Sequence, residues 1–212
     1  MKLLLTGFGP FPGVPVNPAE LIVRRLCQQG PGLSASNATL APWEETHCRV
    51  LPVEYGAGGD AVVRLLKDRS PDMLLLLGVK SAGSGTSLER FALNVDDCTV
   101  PDAAGVVREG QAIREGGADA LQTRVKLGGL RDAMAARDYR LDISNHAGTY
   151  LCNHVYYRAL DFVAASSHAT RVLFVHVPMP VPLNSHGLLQ QGSLGYLEGA
   201  VRELIRVLPS FM

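Results

Sequence analysis

Apolar positions along the chain fall into two patterns. Lys2 to Thr6 and Met73 to Leu77 are short, almost unbroken apolar runs that end at glycine, as expected of strands buried on both faces. Thr46 to Val53, Tyr139 to Ile143 and Arg171 to Val177 read as further strands, and Ser87 to Val95 as a strand or extended segment. Helical spacing appears between them. Asn17-Pro18-Ala19-Glu20 offers an N-cap residue, proline at the first helical position and glutamate at the third, and Leu21, Ile22, Leu26 and Gly30 continue and close that helix. Asp60 to Asp68 presents Ala61, Val62, Leu65 and Leu66 to a core, Leu130 to Arg137 is a short helix, and longer ones cover about Thr149 to Ala165 and Leu194 to Val207. Residues 31–45 read as loop, and 96–127 is too rich in turns and charges to assign. Strands alternating with amphipathic helices predict an α/β protein, a mainly parallel sheet with helices on both faces, and ligands beyond the strands' C-terminal ends.

Composition narrows this picture. The 212 residues, 47% hydrophobic, suit one domain over residues 1–212 with a substantial core, and no repeat or linker divides them. Twenty basic residues balance twenty acidic ones with no run of either sign, so nucleic-acid and membrane-surface partners are not expected. The leucine run at the N-terminus is too short for a signal peptide, and Leu74 to Leu77 falls far below the ~20 residues that span a bilayer. A soluble, cytoplasmic protein is the expectation. Cys27, Cys48, Cys98 and Cys152 are widely spaced without a Cys-x-x-Cys pair, so reduced thiols are the simplest account, although four cysteines permit two disulfides.

Candidate chemistry centres on Cys152, which follows a polar turn, Ser144 to Gly148, near the start of a predicted helix. A helix N-terminus favours negative charge, which makes Cys152 a candidate nucleophile against the plainer role of a small buried hydrophobe. His176 ends the strand before Pro178, and in a parallel sheet it shares a rim with Cys152. His146 is a weaker candidate for the imidazole, and His154, about 200° around the helix from Cys152, should face away. Glu89 could orient the histidine or be a surface carboxylate paired with Arg90. Phe8 and Phe11 lie in a loop after the first strand, where aromatics often just cover a core. The glycines of Gly78-Val79-Lys80-Ser81-Ala82-Gly83-Ser84-Gly85 lack the spacing of a phosphate-binding loop.

Four blocks resemble the pyroglutamyl peptidase I (pyrrolidone-carboxylate peptidase) family of cysteine peptidases. They are Thr6-Gly7-Phe8-Gly9-Pro10-Phe11 with Asn17-Pro18, then Leu88 to Asp97 with Pro101-Asp102, then Gly148-Thr149-Tyr150-Leu151-Cys152-Asn153, and lastly Phe174-Val175-His176-Val177-Pro178. The resemblance implies a three-layer α/β/α sandwich with an open sheet. It implies Cys152 as nucleophile, His176 as base and acid, and Glu89 as the group that orients it. It further implies Phe8 and Phe11 flanking a pyrrolidone ring, Asn17 near the lactam and a backbone contact at Val79. The implied substrate is a peptide with a blocked N-terminus, cleaved through a thioester, with no metal or organic cofactor and a possible homo-oligomer. A related hydrolase acting on another small N-acyl amide or lactam, or a non-catalytic binding protein of the same fold, are the rival readings. The chain departs from the family's usual residues at Val79 to Gly83, at Thr99 where an arginine is common, and at Pro180-Val181-Pro182-Leu183.

Overall fold

The two leucine-rich runs pair at the centre of the sheet. In the computed structural model, which describes residues 1–11, 13–28, 43–80, 85–166, 168–180 and 193–212, β1 (Lys2–Phe8) lies between β2 (Glu45–Leu51) and β3 (Met73–Lys80), all parallel. Beyond β3 come β9 (Arg171–Pro178), parallel to it, then β4 (Thr86–Leu93), which pairs with both β7 (Ala120–Gln122) and β8 (Leu141–His146). Among the described residues this makes a seven-stranded sheet, with β5 (Asp96–Cys98) and β6 (Arg108–Gln111) as a separate antiparallel pair.

Residue alternation assigns the two faces. Leu3, Leu5, Leu75, Leu77, Leu173 and Val175 point to one side, where they meet α1 (Pro18–Gln28), α3 (Leu127–Ala135) and α5 (Leu194–Val207). Leu4, Leu74, Leu76, Val172 and Phe174 point to the other, under α2 (Tyr55–Arg69) and α4 (Leu151–Ala165). The result is the expected three-layer α/β/α sandwich with a mostly parallel sheet. Each fully buried leucine contributes about 1.5–3 kcal/mol of transfer free energy, which is why the central strands carry no polar face. The cap of α1 forms as the sequence predicts, Asn17 Oδ1 accepting from the Ala19 amide at 3.0 Å, while Glu20 pairs with Arg24 at 2.7 Å instead of reaching back.

Several expectations need correction. β4 runs antiparallel to β9, and β8, parallel to β4, also opposes β9, so a shared parallel direction is not what joins Cys152 to His176. α2 starts at Tyr55, five residues before the predicted Asp60, and takes in Gly56, Gly58 and Gly59. Two of them are needed: a Cβ on Gly58 would lie 2.9 Å from the Pro52 carbonyl oxygen, and one on Gly59 2.7 Å from His154 Nε2. The Tyr55 amide is capped from a distance by Asp102 Oδ2 at 3.0 Å. β3 continues past Gly78 to Lys80, and β1 reaches Phe8, placing that aromatic in a strand. Most of the predicted loop over 31–45 lies outside the described residues, as do 81–84 and 181–183.

Cys27 and Cys48 form a disulfide, Cα to Cα 6.3 Å, joining the last turn of α1 to β2, whereas Cys98 and Cys152 are free. This overturns the expectation of four reduced thiols. Spacing along the chain could not reveal the bridge, because the pairing depends on α1 packing against β2. No described helix is long and apolar enough to cross a membrane. A bridge closing a separation of 21 residues stabilises by about 3 kcal/mol through the unfolded chain. Urea unfolding with and without dithiothreitol should show the unfolding free energy lowered by about 3 kcal/mol on reduction, with the midpoint falling accordingly; coincident curves would mean the bridge contributes nothing.

Candidate active site

Cys152 is the second residue of α4, and its N-cap, Tyr150, offers no side-chain acceptor to the first amides. Gly148, at φ 80°, makes the turn that a residue with a Cβ would resist. The start of the helix is stitched to the segment after β4. Asp97 N donates to the Thr149 carbonyl at 2.9 Å, and Thr149 Oγ1 donates back to the Asp97 carbonyl at 2.6 Å. Asn153, fully buried, accepts from Leu93 N at 2.8 Å and donates to the carbonyls of Leu93 and Val95 at 2.9 and 3.0 Å. Tyr150 Oη donates to the Pro101 carbonyl at 2.9 Å. Gly78 is what lets the thiol approach the sheet: a Cβ there would stand 2.9 Å from Cys152 Sγ and 2.7 Å from the Phe174 ring.

His176 and Glu89 meet across the antiparallel β4–β9 pair. Register sets His176 opposite Ser87 and Phe174 opposite Glu89, so the two side chains are diagonal neighbours on the α4 face. His176 Nδ1 donates to Glu89 Oε1 at 2.9 Å, and Ser87 Oγ donates to the same oxygen at 2.8 Å. Tyr156 Oη donates to the Glu89 carbonyl at 3.1 Å. Glu89 is 1% exposed, which excludes the surface ion pair with Arg90. Burial alone would raise its pKa, but the hydrogen bonds from His176 and Ser87 and the imidazolium charge hold it below the ordinary carboxylate value. Ser144, opposite Glu89 in β8, donates its hydroxyl to the His146 carbonyl at 3.1 Å, and Glu89 Oε2 is left without a hydrogen-bond partner among the described residues. Burial would likewise lower the His176 pKa. Cys152, by charge and hydrogen bond, and then Glu89 outweigh it and push His176 up to about 9.

Beside the thiol is a small cleft lined by Phe8, Phe11, Asn17, Val53, Val79, Tyr150, Leu151 and Cys152, about 50 Å³ in volume. One water needs about 10–15 Å³ by this measure, so the described residues leave a space of only a few waters. Phe8 is 4% exposed and packs on Phe174, with ring centroids 6.5 Å apart, while Phe11 is held by a tight turn with Val14. Asn17 donates to the Gly9 carbonyl at 2.9 Å while capping α1, so it shapes the Phe8–Phe11 wall. Larger clefts border β2, one of about 460 Å³ lined by Arg24, Arg49 and the Cys27–Cys48 bridge, but neither thiol nor imidazole opens there.

The remaining candidates separate. His146 is exposed and its Nδ1 accepts from Gly148 N at 3.1 Å. His154 turns away from Cys152 as its rotation predicts, into a buried contact with Asp96 at 2.8 Å that Arg108 also joins at 2.6 Å. Thr99 is exposed on the β5–β6 connection. Ser87, Ser144 and Tyr150 escaped the sequence reading. Ser87 had a signal, since it stands two positions before Glu89 on a strand and so shares its face; the others depend on pairings that only the fold reveals. Among the described residues, no group of three or more His, Cys, Asp and Glu is placed to hold a metal.

Comparison with known proteins gives a consistent result. The pyroglutamyl peptidase family profile matches residues 1–194. A pyrrolidone-carboxylate peptidase of Thermococcus onnurineus is 34% identical over 178 residues, 84% of each chain. The crystal structure of the pyrrolidone carboxyl peptidase from Fervidobacterium islandicum superposes with a TM-score of 0.87 at 31% identity, covering 100% of both chains. That of Bacillus amyloliquefaciens pyroglutamyl peptidase I superposes at 0.84 and 25% identity, covering 99% of this chain and 97% of the other.

Because the His176 value lies above the ordinary 6.5, the imidazolium persists as pH rises until about 9. Its contribution to stability is therefore complete below about pH 6.5 and lost through about pH 9. An NMR titration of His176 should show a midpoint near 9, falling in Glu89→Gln; an ordinary midpoint in the unaltered protein would refute the ion pair. Gly78→Ala should cost about 1–3 kcal/mol by overpacking. It should also lower that midpoint by displacing the thiol, and an unchanged midpoint would contradict the close approach.

Proposed function

The chain belongs to the pyroglutamyl peptidase family, and on that premise we propose that it removes N-terminal pyroglutamate from peptides, with Cys152 as nucleophile, His176 as acid and base, and Glu89 orienting the imidazole. The observation that carries this reading is the junction of two features at one sulfur. Cys152 borders a ring-sized cleft on one side and, on the other, acts by its charge on a histidine fixed by a buried carboxylate.

In this reading the pyrrolidone ring enters between Phe8 and Phe11 and meets the backbone at Val79. The Cys152 thiolate attacks the pyroglutamyl carbonyl carbon, forming the C–S bond while the oxygen takes up negative charge. The uncapped amides at the start of α4 are oriented to stabilise that oxyanion. The His176 imidazolium then gives its proton to the leaving nitrogen, the C–N bond breaks, and the shortened peptide departs as an amine. Neutral His176 next takes a proton from water, whose oxygen attacks the thioester. The C–S bond breaks, pyroglutamate leaves, and the thiolate–imidazolium pair is restored. Glu89 stays ionised throughout, favouring the charged imidazole and fixing which nitrogen faces the sulfur.

The cleft also explains why a blocked terminus is preferred. Apart from the thiol, the described residues that line it carry no ionisable group except the Tyr150 phenol, which burial pushes up to about 12 and keeps neutral. A free α-ammonium would lose its water and gain no counter-charge, whereas the lactam is neutral.

Cys152→Ala should abolish release of arylamine from a pyroglutamyl-arylamide, while unfolding stability stays within about 1 kcal/mol for a partly exposed thiol. Acetyl, prolyl and glutamyl arylamides should be turned over at least about a hundredfold more slowly, the discrimination expected when buried polar groups lose their partner. Faster turnover of another acyl amide would transfer the assignment to that substrate.

A further inference from the structure

One charged side chain on the face of the triad has no part in the mechanism above. Lys80 ends β3, two residues beyond Gly78 and therefore on the same face of the sheet, where it is half-buried. Its Nζ donates to Ser87 Oγ at 3.3 Å, reaching past β9 to β4. Ser87 Oγ donates to Glu89 Oε1 at 2.8 Å, and His176 Nδ1 donates to the same oxygen at 2.9 Å. The polar chain thus runs Lys80, Ser87, Glu89, His176, Cys152.

We propose that Lys80 is a positioning residue for the Cys152–His176 pair, acting through Ser87 and Glu89. A hydroxyl both donates and accepts, so Ser87 alone could turn its proton away from the carboxylate. An ammonium only donates. With Lys80 in place, the Ser87 oxygen is the acceptor on that side and its hydrogen is committed to Glu89 Oε1. Two donors converging on one carboxylate oxygen then hold the carboxyl plane, and with it the imidazole ring that faces the sulfur. The ammonium adds a cation near the carboxylate that disfavours every protonation along the chain.

The groups that bear on this arrangement can be named. Glu89 faces it from β4, His176 from β9, and Cys152 and Tyr156 from α4; Tyr156 is kept neutral by complete burial. Lys80 is the one cation of fixed sign among them. Removing it leaves the pair charged but moves each deprotonation to higher pH. A lysine that merely filled space at a strand end would leave those positions alone.

This inference rests on the Cys152–His176–Glu89 reading, and its test separates the two. Lys80→Met keeps the aliphatic stem, with Lys80→Gln as a second variant should the first fail to fold; Lys80→Arg keeps the cation. On a pyroglutamyl-arylamide, kcat should fall roughly three- to tenfold with KM unchanged within about twofold, since orientation and not ground-state binding is lost. The alkaline limb of the profile should move to higher pH, and arginine should restore both. The rate of Cys152 alkylation by iodoacetamide, which requires no substrate, should rise with pH along a curve displaced upward in Lys80→Met. If the unaltered protein ignores the arylamide yet the alkylation curve still shifts, the peptidase reading fails and the role of Lys80 stands. Turnover and alkylation profiles that coincide with those of the unaltered protein would overturn it.

Discussion

A carboxylate at 1% exposure is tolerated only where donors replace the water it has lost, and much of the site follows from that requirement at Glu89. Serine at position 87 supplies one donor and the His176 ring another. Both need β4 beside β9 in the antiparallel register observed, because a one-residue slip would turn Glu89 into the opposite core, among leucines. β4, one of the strands that oppose β9, is therefore the one that delivers the anion. The imidazole it fixes is in turn the partner of the thiol, so sheet register, histidine charge and nucleophile form one connected constraint.

The sulfur is placed with equal economy. α4 does not depend on its own cap; its start is held from outside by the segment from Leu93 to Pro101, through Asn153, Thr149 and Tyr150. Asp102 extends that brace, holding the Ala104 and Val106 amides at 2.9 Å with one oxygen and capping α2 with the other. A loop that looks featureless thus ties two helices to one sheet edge. With α4 fixed, the missing Cβ of Gly78 determines how near the thiol comes to β3 and β9.

How much of this was legible depends on where each signal resides. Strands such as Leu3 to Leu5 and Leu74 to Leu77, apolar on both faces, identify themselves because water excludes them whatever their neighbours are. α5 was legible to the residue, since Ser193 caps it and its apolar stripe is regular. The start of α2 was hidden because the physical reason for Gly58 and Gly59 lies in Pro52 and His154. The short strands β5 to β7 are mostly polar and exist through pairing alone. Gly78 read as a strand's end and so placed Lys80 in a loop, away from the triad it adjoins. At the site, the family resemblance brought out Glu89, which composition and periodicity left as an ordinary surface acid.

In the proposed function, chemistry and selectivity fall to different sides of the same small space. The polar side, formed by His176, Glu89 and Ser87, would serve any acyl group that reaches Cys152, because it would act on the bond and not on the ring. On that reading selectivity falls to Phe8, Phe11, Val53 and Val79, uncharged residues that line a cleft of about 50 Å³. A residue with a further peptide unit on its amino side would have to continue through that apolar side. An acyl group that ends in a compact ring, on the same reading, leaves the scissile carbonyl at the sulfur with nothing beyond it. On the proposed reading, enlarging the apolar side without touching the polar one is the structural route from a pyroglutamyl peptidase to a broader acyl-amide hydrolase.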